Sequence, residues 1–320
     1  MRKILLPLVA LTLSFLMAGA QAQGYPSKTI RFIAPFGAGA SSDTLARLVA
    51  SHLSKAMGQP VIVENRPGGG GLIGTQAVLN APADGHTVLV AGSAPLVFNR
   101  LTYAKLPYNP DDLMPLTVIA DYPLVIAANN DTPIKTLADI SKLATAKPGT
   151  LPYGYTSATF QAQMEYLSTL MKVKLLPVPY NGGGAALQAV MAGDTALIAQ
   201  DPTSVAPMHK SGKLRAIAVT SRQRNSALPD VPTVAESGLP NFETSVFMGL
   251  AIHRNTPAPI VHKLYQEVAK VLALPEVRER IVHFGMEPKG STPEESAARI
   301  ERELLQYRPV IEAAGIRTQN

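Results

Sequence analysis

The sequence predicts an α/β fold in two lobes, on three observations. Apolar β-forming runs alternate with segments of helical period along most of the chain. That alternation breaks between Val118 and Ala128, where two strands follow one another directly, and a strand from Glu243 to Ile252 can carry the chain back. Turns rich in Gly, Ser and Thr sit where strands hand over to helices in both halves. Together they describe a clamshell, with 23–122 and 243–320 as lobe I and 123–242 as lobe II.

The N-terminus stands apart from this pattern. Arg2 and Lys3 precede an apolar run from Ile4 to Met17, and Ala20-Gln21-Ala22 is an A-x-A cleavage site. Residues 1–22 therefore read as a signal peptide, cleaved near Ala22, and the expected location is the periplasm. No other stretch approaches the ~20 apolar residues of a membrane helix. The absence of cysteine excludes disulfides, thiol catalysis and a lipid-anchored cysteine. The formal charge of +6 becomes +4 once Arg2 and Lys3 are removed, a mild excess that suits anionic ligands. Basic runs interleaved with aromatics are missing, which argues against nucleic acid.

Lobe I opens with a strand at Ile30–Ile33. Pro35 ends its pairing, Gly37 and Gly39 permit turns closed to other residues, and Ser41, Ser42 and Asp43 are N-cap types. Leu45, Leu48, Val49, Leu53 and Met57 then recur at helical spacing up to Gly58. A strand passing through such a turn into a helix leaves N–H groups free at the positive end of the helix dipole. That makes either an anion site without a cationic side chain or an ordinary βα turn. Asp43 is expected to cap the helix rather than act as a base, and Phe36 is either a core residue or a wall against an organic ligand.

Pro60–Glu64 reads as the second strand, a helix begins near Ile73, and Thr87–Ala91 is the third strand, so a parallel sheet is expected. Gly92-Ser93-Ala94-Pro95 repeats the small-residue turn at a strand's C-terminal end, where ligands gather in open α/β sheets. Gly69 to Gly74 fits G-x-G-x-x-G, but Asp84 precedes the next strand instead of ending it, so a dinucleotide site is not supported.

In lobe II, Lys135–Ala146 reads as a helix. The strand Leu151–Tyr155 leads through Thr156-Ser157-Ala158-Thr159 into a helix ending near Met171. The strand Lys174–Pro179 leads through Tyr180 to Gly184 into a helix ending at Ala192. Ala196–Ala199 and Leu214–Thr220 are strands, the first ending at Gln200-Asp201. The return strand is followed by helices at Ile260–Leu272, Glu276–Phe284 and Pro293–Ala314. The six histidines show no metal spacing and no G-x-S-x-G elbow is present, so neither metal nor cofactor is expected.

Ordered motifs along the mature chain resemble the Bug/TctC family of periplasmic solute-binding proteins associated with tripartite tricarboxylate transport. They include Tyr25-Pro-Ser-Lys-Thr-Ile-Arg31, Pro35-Phe36 through Asp43-Thr-Leu-Ala-Arg47, and Gly58-Gln-Pro-Val-Ile-Val-Glu-Asn-Arg-Pro-Gly68. Gly212-Lys-Leu-Arg-Ala-Ile-Ala-Val-Thr-Ser221 and Leu228-Pro-Asp-Val-Pro-Thr-Val-Ala-Glu-Ser-Gly238 follow in order. The resemblance implies a type II periplasmic-binding-protein fold, two α/β lobes joined by crossover strands with a ligand cleft between. It implies a small organic carboxylate as ligand, no enzymatic activity, a likeness to monomers, and membrane transporter subunits as partners. A sensor delivering its signal to a membrane receptor, or an exported enzyme acting on an organic acid, are the alternatives. Carried over by motif, the ligand-binding residues of lobe I are Phe36, Gly39, Ala40, Ser41, Ser42 and Ser93. Those of lobe II are Thr156, Ser157, Ala158, Thr159, Gly182, Gly183 and Asp201. The chain departs from the family where Ala40 replaces a glycine and where Tyr155 to Phe160 form a shorter loop, so those aromatics are expected to shape the pocket.

Overall fold

The computed structural model describes residues 24–180 and 182–316, so the signal peptide expected at 1–22 lies outside the described residues. Two sheets organise the chain. The first contains β1 (Ile30–Ala34), β2 (Val61–Asn65), β3 (Thr87–Gly92), β4 (Leu113–Tyr122), β10 (Val246–His253) and β11 (Glu287–Pro288), in the order β11-β4-β10-β3-β1-β2. The second contains β5 (Val125–Asn129), β6 (Pro152–Tyr155), β7 (Leu176–Pro179), β8 (Leu197–Gln200) and β9 (Leu214–Val219), in the order β7-β6-β8-β5-β9.

Neither sheet is wholly parallel, which corrects the expectation from the strand–helix alternation. β1 runs parallel to β2 and β3, and β6 runs parallel to β7 and β8. The strands that carry the chain between lobes run the other way. β10 is antiparallel to both β3 and β4, and β5 is antiparallel to both β8 and β9. A strand that enters from the opposite lobe arrives without a right-handed helical crossover, so it is free of the constraint that makes βαβ units parallel.

The two passages between the sheets lie side by side. β4 ends at Tyr122 and β5 starts at Val125. The return leaves β9 at Val219 and reaches β10 at Val246. Thr220 ties them together: the Leu124 amide donates to its hydroxyl at 2.8 Å, that hydroxyl donates to the Thr244 carbonyl at 3.1 Å, and the Thr244 amide donates to the Thr220 carbonyl at 3.0 Å.

The helices follow from local chemistry. In α1 (Ser41–Met57), Leu45, Val49 and Leu53 are fully buried on one face, and Gly58 closes the helix with a left-handed φ of 65°. α2 (Leu72–Leu79) follows the glycine run. α3 (Leu137–Ala146) starts at a capping box of Thr136 and Asp139, and α9 (Pro293–Ala314) at another of Thr292 and Glu295. α4 (Ala158–Met171) and α5 (Gly183–Ala192) occupy the loops expected for them in lobe II. α7 (Ala258–Ala273) and α8 (Pro275–His283) complete lobe I. α6 (Pro202–Lys210) was not foreseen; Asp201 caps it and Pro202 fills its first position. The residues after Gly92, expected as a turn, are helical from Ala94 to Thr102.

The largest apolar cluster runs through both lobes, joining Phe32, Leu45 and Val88 to Ile126, Leu167 and Phe242. α9 packs on β4 of the first sheet, and its Tyr307 ring meets Tyr166 of α4 edge-on at 6.3 Å and Phe98 at 4.9 Å. No helix among the described residues is long and apolar enough to cross a membrane.

Candidate functional site

A cavity of about 790 Å³ opens between the sheets. Lobe I contributes the turn from Phe36 to Ser42, the strip from Pro67 to Gly71, and Gly92 to Ala94. Lobe II contributes Thr156, Ser157, Thr159 and Phe160, then Tyr180 with Gly182 to Gly184, then Gln200, Asp201 and Ser204. Tyr122, Val246 and Met248 of the crossover strands form the back. All of these loops follow the C-terminal ends of strands, where α/β sheets place their ligands. The cavity is thus walled by both lobes.

Ten of the 29 lining residues are glycine, and no lysine, arginine or histidine is found among the described lining residues. The polar surface of the cavity is thus mostly backbone amide and hydroxyl, with the Gln200 carboxamide and the Asp201 carboxylate beside them. The helix starts of α1, α4, α5 and α6 converge on it, and the first N–H groups of each helix have no partner within that helix. The hydroxyls of Ser41, Ser42 and Thr159 are buried without a hydrogen-bond partner among the described residues. A buried hydroxyl left without a partner costs about 1–3 kcal/mol, so a group in the cavity that supplies partners to these three is favoured.

In the first turn two expected donors are already engaged. Asp43 Oδ2 accepts the Gly39 amide at 3.0 Å, and the Gly37 carbonyl accepts the Ala40 amide at 3.2 Å. Asp43 is therefore not the N-cap, which is Ala40, but an acceptor in the first helical turn. Burial works against its charge, yet hydrogen bonds from Arg47, Gly39 and Asn65 hold its carboxyl below the usual aspartate range. Ser41 and Ser42, the first two residues of α1, keep the amides left without a helical partner.

Twelve of the thirteen expected residues line the cavity. Ala158 does not; it packs against the apolar cluster of Ile33 and Phe98 in lobe I. Ser93 lines the cavity through a fully buried residue whose hydroxyl accepts the Phe247 amide at 3.1 Å, so that oxygen fastens β10. Phe36 is half-buried and faces the cavity as a wall. Of the two aromatics expected to shape lobe II, Phe160 lines the cavity and Tyr155 does not.

Sequence reasoning missed the glycine strip as part of the site. Gly68, Gly69, Gly70 and Gly71 all hold positive φ, from 56° to 132°, a run closed to residues with a Cβ. Tyr103 donates to the Gly69 carbonyl at 3.0 Å and Asn99 donates to the Gly70 carbonyl at 3.2 Å, which pins the strip against lobe I. Four consecutive glycines after a strand were the available signal. Tyr122, Gln200 and Ser204 were missed as well, since nothing in their local sequence marks them.

The family model described as the tripartite tricarboxylate transporter family receptor, TctC, matches residues 45–316. The chain belongs to the TctC family. TctC proteins are solute-binding proteins, and this chain has their fold of two α/β lobes about a cleft. Among curated TctC relatives, Protein BugT of Bordetella pertussis is 32% identical over 304 residues, covering 93% of each chain. The solved structure of R. palustris Rpa4515 with adipate has a TM-score of 0.86 at 31% identity, covering 92% of this chain and 99% of that one. MatC from Rhodopseudomonas palustris with bound malate has a TM-score of 0.81 at 30% identity, covering 90% of this chain and all of that one.

Proposed function

We propose that this protein captures a small organic carboxylate between its lobes and delivers it to the membrane components of a tripartite tricarboxylate-type transporter. The observation that carries this reading is a cavity where helix-start amides and unpartnered hydroxyls converge, with no cationic side chain among the described lining residues. Amides at a helix start favour an anion through geometry and the dipole, without a fixed counter-charge. The carboxylates held by Rpa4515 and MatC, adipate and malate, support the same class.

In this reading the binding set is Phe36, Ser41, Ser42, Thr156, Ser157, Thr159, Gly182, Gly183 and Asp201, with Gly39, Ala40 and Ser93 shaping the walls and Ala158 starting its helix. Lobe I comprises 23–122 and 243–320, and lobe II comprises 123–242. The solute draws the lobes together because only the closed state satisfies donors on both sides. The protein acts in the periplasm as a monomer and releases its ligand unchanged, with export directed by residues 1–22.

Thermal denaturation against a panel of mono-, di- and tricarboxylates, aromatic acids, sugars and amines tests the reading. A bound acid at one hundred times its Kd stabilises by about 2.7 kcal/mol, a clear rise in Tm. A panel in which sugars or amines raise the Tm and no acid does would overturn it, and so would recovery of a chemically altered ligand.

A further inference from the structure

The cavity described above contains one side chain that does not belong in a plain anion site. Asp201 is the only Asp, Glu, Lys, Arg or His among its described lining residues, and it carries the same charge as a carboxylate ligand. It is more than nine-tenths buried. Its two oxygens are unequally used. Oδ1 accepts the Ser204 amide at 3.1 Å, lies 3.2 Å from the Ser204 hydroxyl, and accepts the Thr203 hydroxyl. Among the described residues Oδ2 has one hydrogen-bond neighbour, the same Ser204 hydroxyl at 3.1 Å, whose single hydrogen serves one oxygen at a time. Oδ2 thus retains acceptor capacity at the wall of the cavity, as the one carboxylate oxygen there that is not already shared among several donors.

The position is wider in reach than a helix cap. Capping α6 needs only an oxygen for the Ser204 amide, which Asn or Ser supplies as well. The field of Asp201 also extends to the back of the cavity, where it adds to burial in keeping the Tyr122 phenol protonated. A ligand carboxylate at the α1 end gains from amides, whereas a second carboxylate placed near Asp201 meets a like charge in a poorly solvated space.

We infer that Asp201 sets ligand specificity, favouring organic acids whose far end carries a hydrogen-bond donor, a hydroxyl or an ammonium, over acids ending in a second carboxylate. This rests on the carboxylate reading and names a narrower ligand class for the same cavity. The donor completes Oδ2, and the acid group remains with the amides and hydroxyls of the facing helix starts. A site that leaves buried acceptor capacity unfilled discriminates against ligands unable to fill it.

Calorimetric titration with two matched series tests the inference: adipate, 6-hydroxyhexanoate and 6-aminohexanoate, then succinate, 4-hydroxybutyrate and 4-aminobutyrate. The wild type should bind a donor-ended acid at least tenfold more tightly than the dicarboxylate of its series. Asp201→Asn, which keeps the cap, should shift that ratio at least tenfold toward the dicarboxylate, and Asp201→Ser provides a second capping variant should the first not fold. A ratio unchanged within twofold in the folded variants overturns the inference, whatever the wild-type order. If the acids bind with that unchanged ratio, carboxylate capture stands and the role of Asp201 falls. If no acid of either series, nor of the wider panel, binds, capture itself falls and takes the inference with it.

Discussion

Asp43 holds the Gly39 amide: its Oδ2 accepts that N–H at 3.0 Å, closing the turn that leads into α1. Its Oδ1 accepts from Asn65 at 2.9 Å and pairs with Arg47 at 2.9 Å, so one buried carboxylate ties the turn to β2 and to the helix. Replacing it with alanine should cost about 1–2 kcal/mol, the usual loss for a helix-start acceptor, measured by urea denaturation. Because its carboxyl is held below the usual range, this contribution is present at neutral pH and fades as the pH falls through the folded-state value. A wild-type advantage over Asp43→Ala that persisted unchanged into strong acid would contradict the assignment.

Ser41 sits at the first helical position, where proline fits, and Ala40 before it is already extended at φ −68°, ψ 162°. Ser41→Pro should therefore keep the fold while removing one amide and one unpartnered hydroxyl from the cavity. A hydrogen bond to a charged group is worth about 1.5–3 kcal/mol, so the affinity for a bound acid should fall between about tenfold and 150-fold. Circular dichroism and titration on the same sample separate this from unfolding.

Thr159→Val offers the matching probe in lobe II. Its hydroxyl is buried without a partner among the described residues, so the ligand-free protein should be as stable as wild type or more so. Acid affinity should nonetheless fall by about tenfold. Equal affinity would show that the lobe II hydroxyl makes no contact with the solute.

Glu303 of α9 is buried beside Arg299, which donates to it at 2.9 Å and to Asp121 at 2.6 Å. Burial pushes its carboxyl up to about 7, against the pull of Arg299 and with the help of Asp121. The folded protein then holds that proton more tightly than the unfolded chain. Stability should fall as the pH rises from the ordinary glutamate value of 4.5 toward about 7, by about 3 kcal/mol, and level off above. Glu303→Gln should remove that slope, read from denaturation midpoints across the window.

Gly74 packs α2 directly onto Pro35. A Cβ there would lie 2.8 Å from the Pro35 Cβ and 2.9 Å from its Cα, so the helix must move away from the first turn. Gly74→Ala should cost about 1–3 kcal/mol by overpacking and weaken acid binding as Phe36 shifts. Thermal denaturation and titration of the variant measure both effects.

Much of the architecture is legible in the chain because it is written in side chains. Leu45, Val49 and Leu53 announce α1, Gly58 ends it, and the bounds Pro293 and Ala314 of α9 follow from its amphipathic period. β4 starts at Leu113, ahead of the Val118 expected from the apolar run, and contains Pro115; the register slips near that point, where β10 passes it. α6 escaped notice because Pro207 interrupts its period. The site is less legible for the same reason. Many of its donors are backbone amides, and the sequence does not say which amides are already taken, so Gly39 and Ala40 could not be told from Ser41 and Ser42. The glycine strip carries no side chain to signal what it surrounds.

A receptor assembled from main-chain groups has an uncommon tolerance. Every residue except proline brings the same N–H to a given position, so a replacement along these loops keeps that donor wherever the backbone path survives. Discrimination between one solute and another is then left to a handful of side chains at the walls, and a lineage of such proteins can exchange its cargo by altering those few while the means of holding on stays untouched.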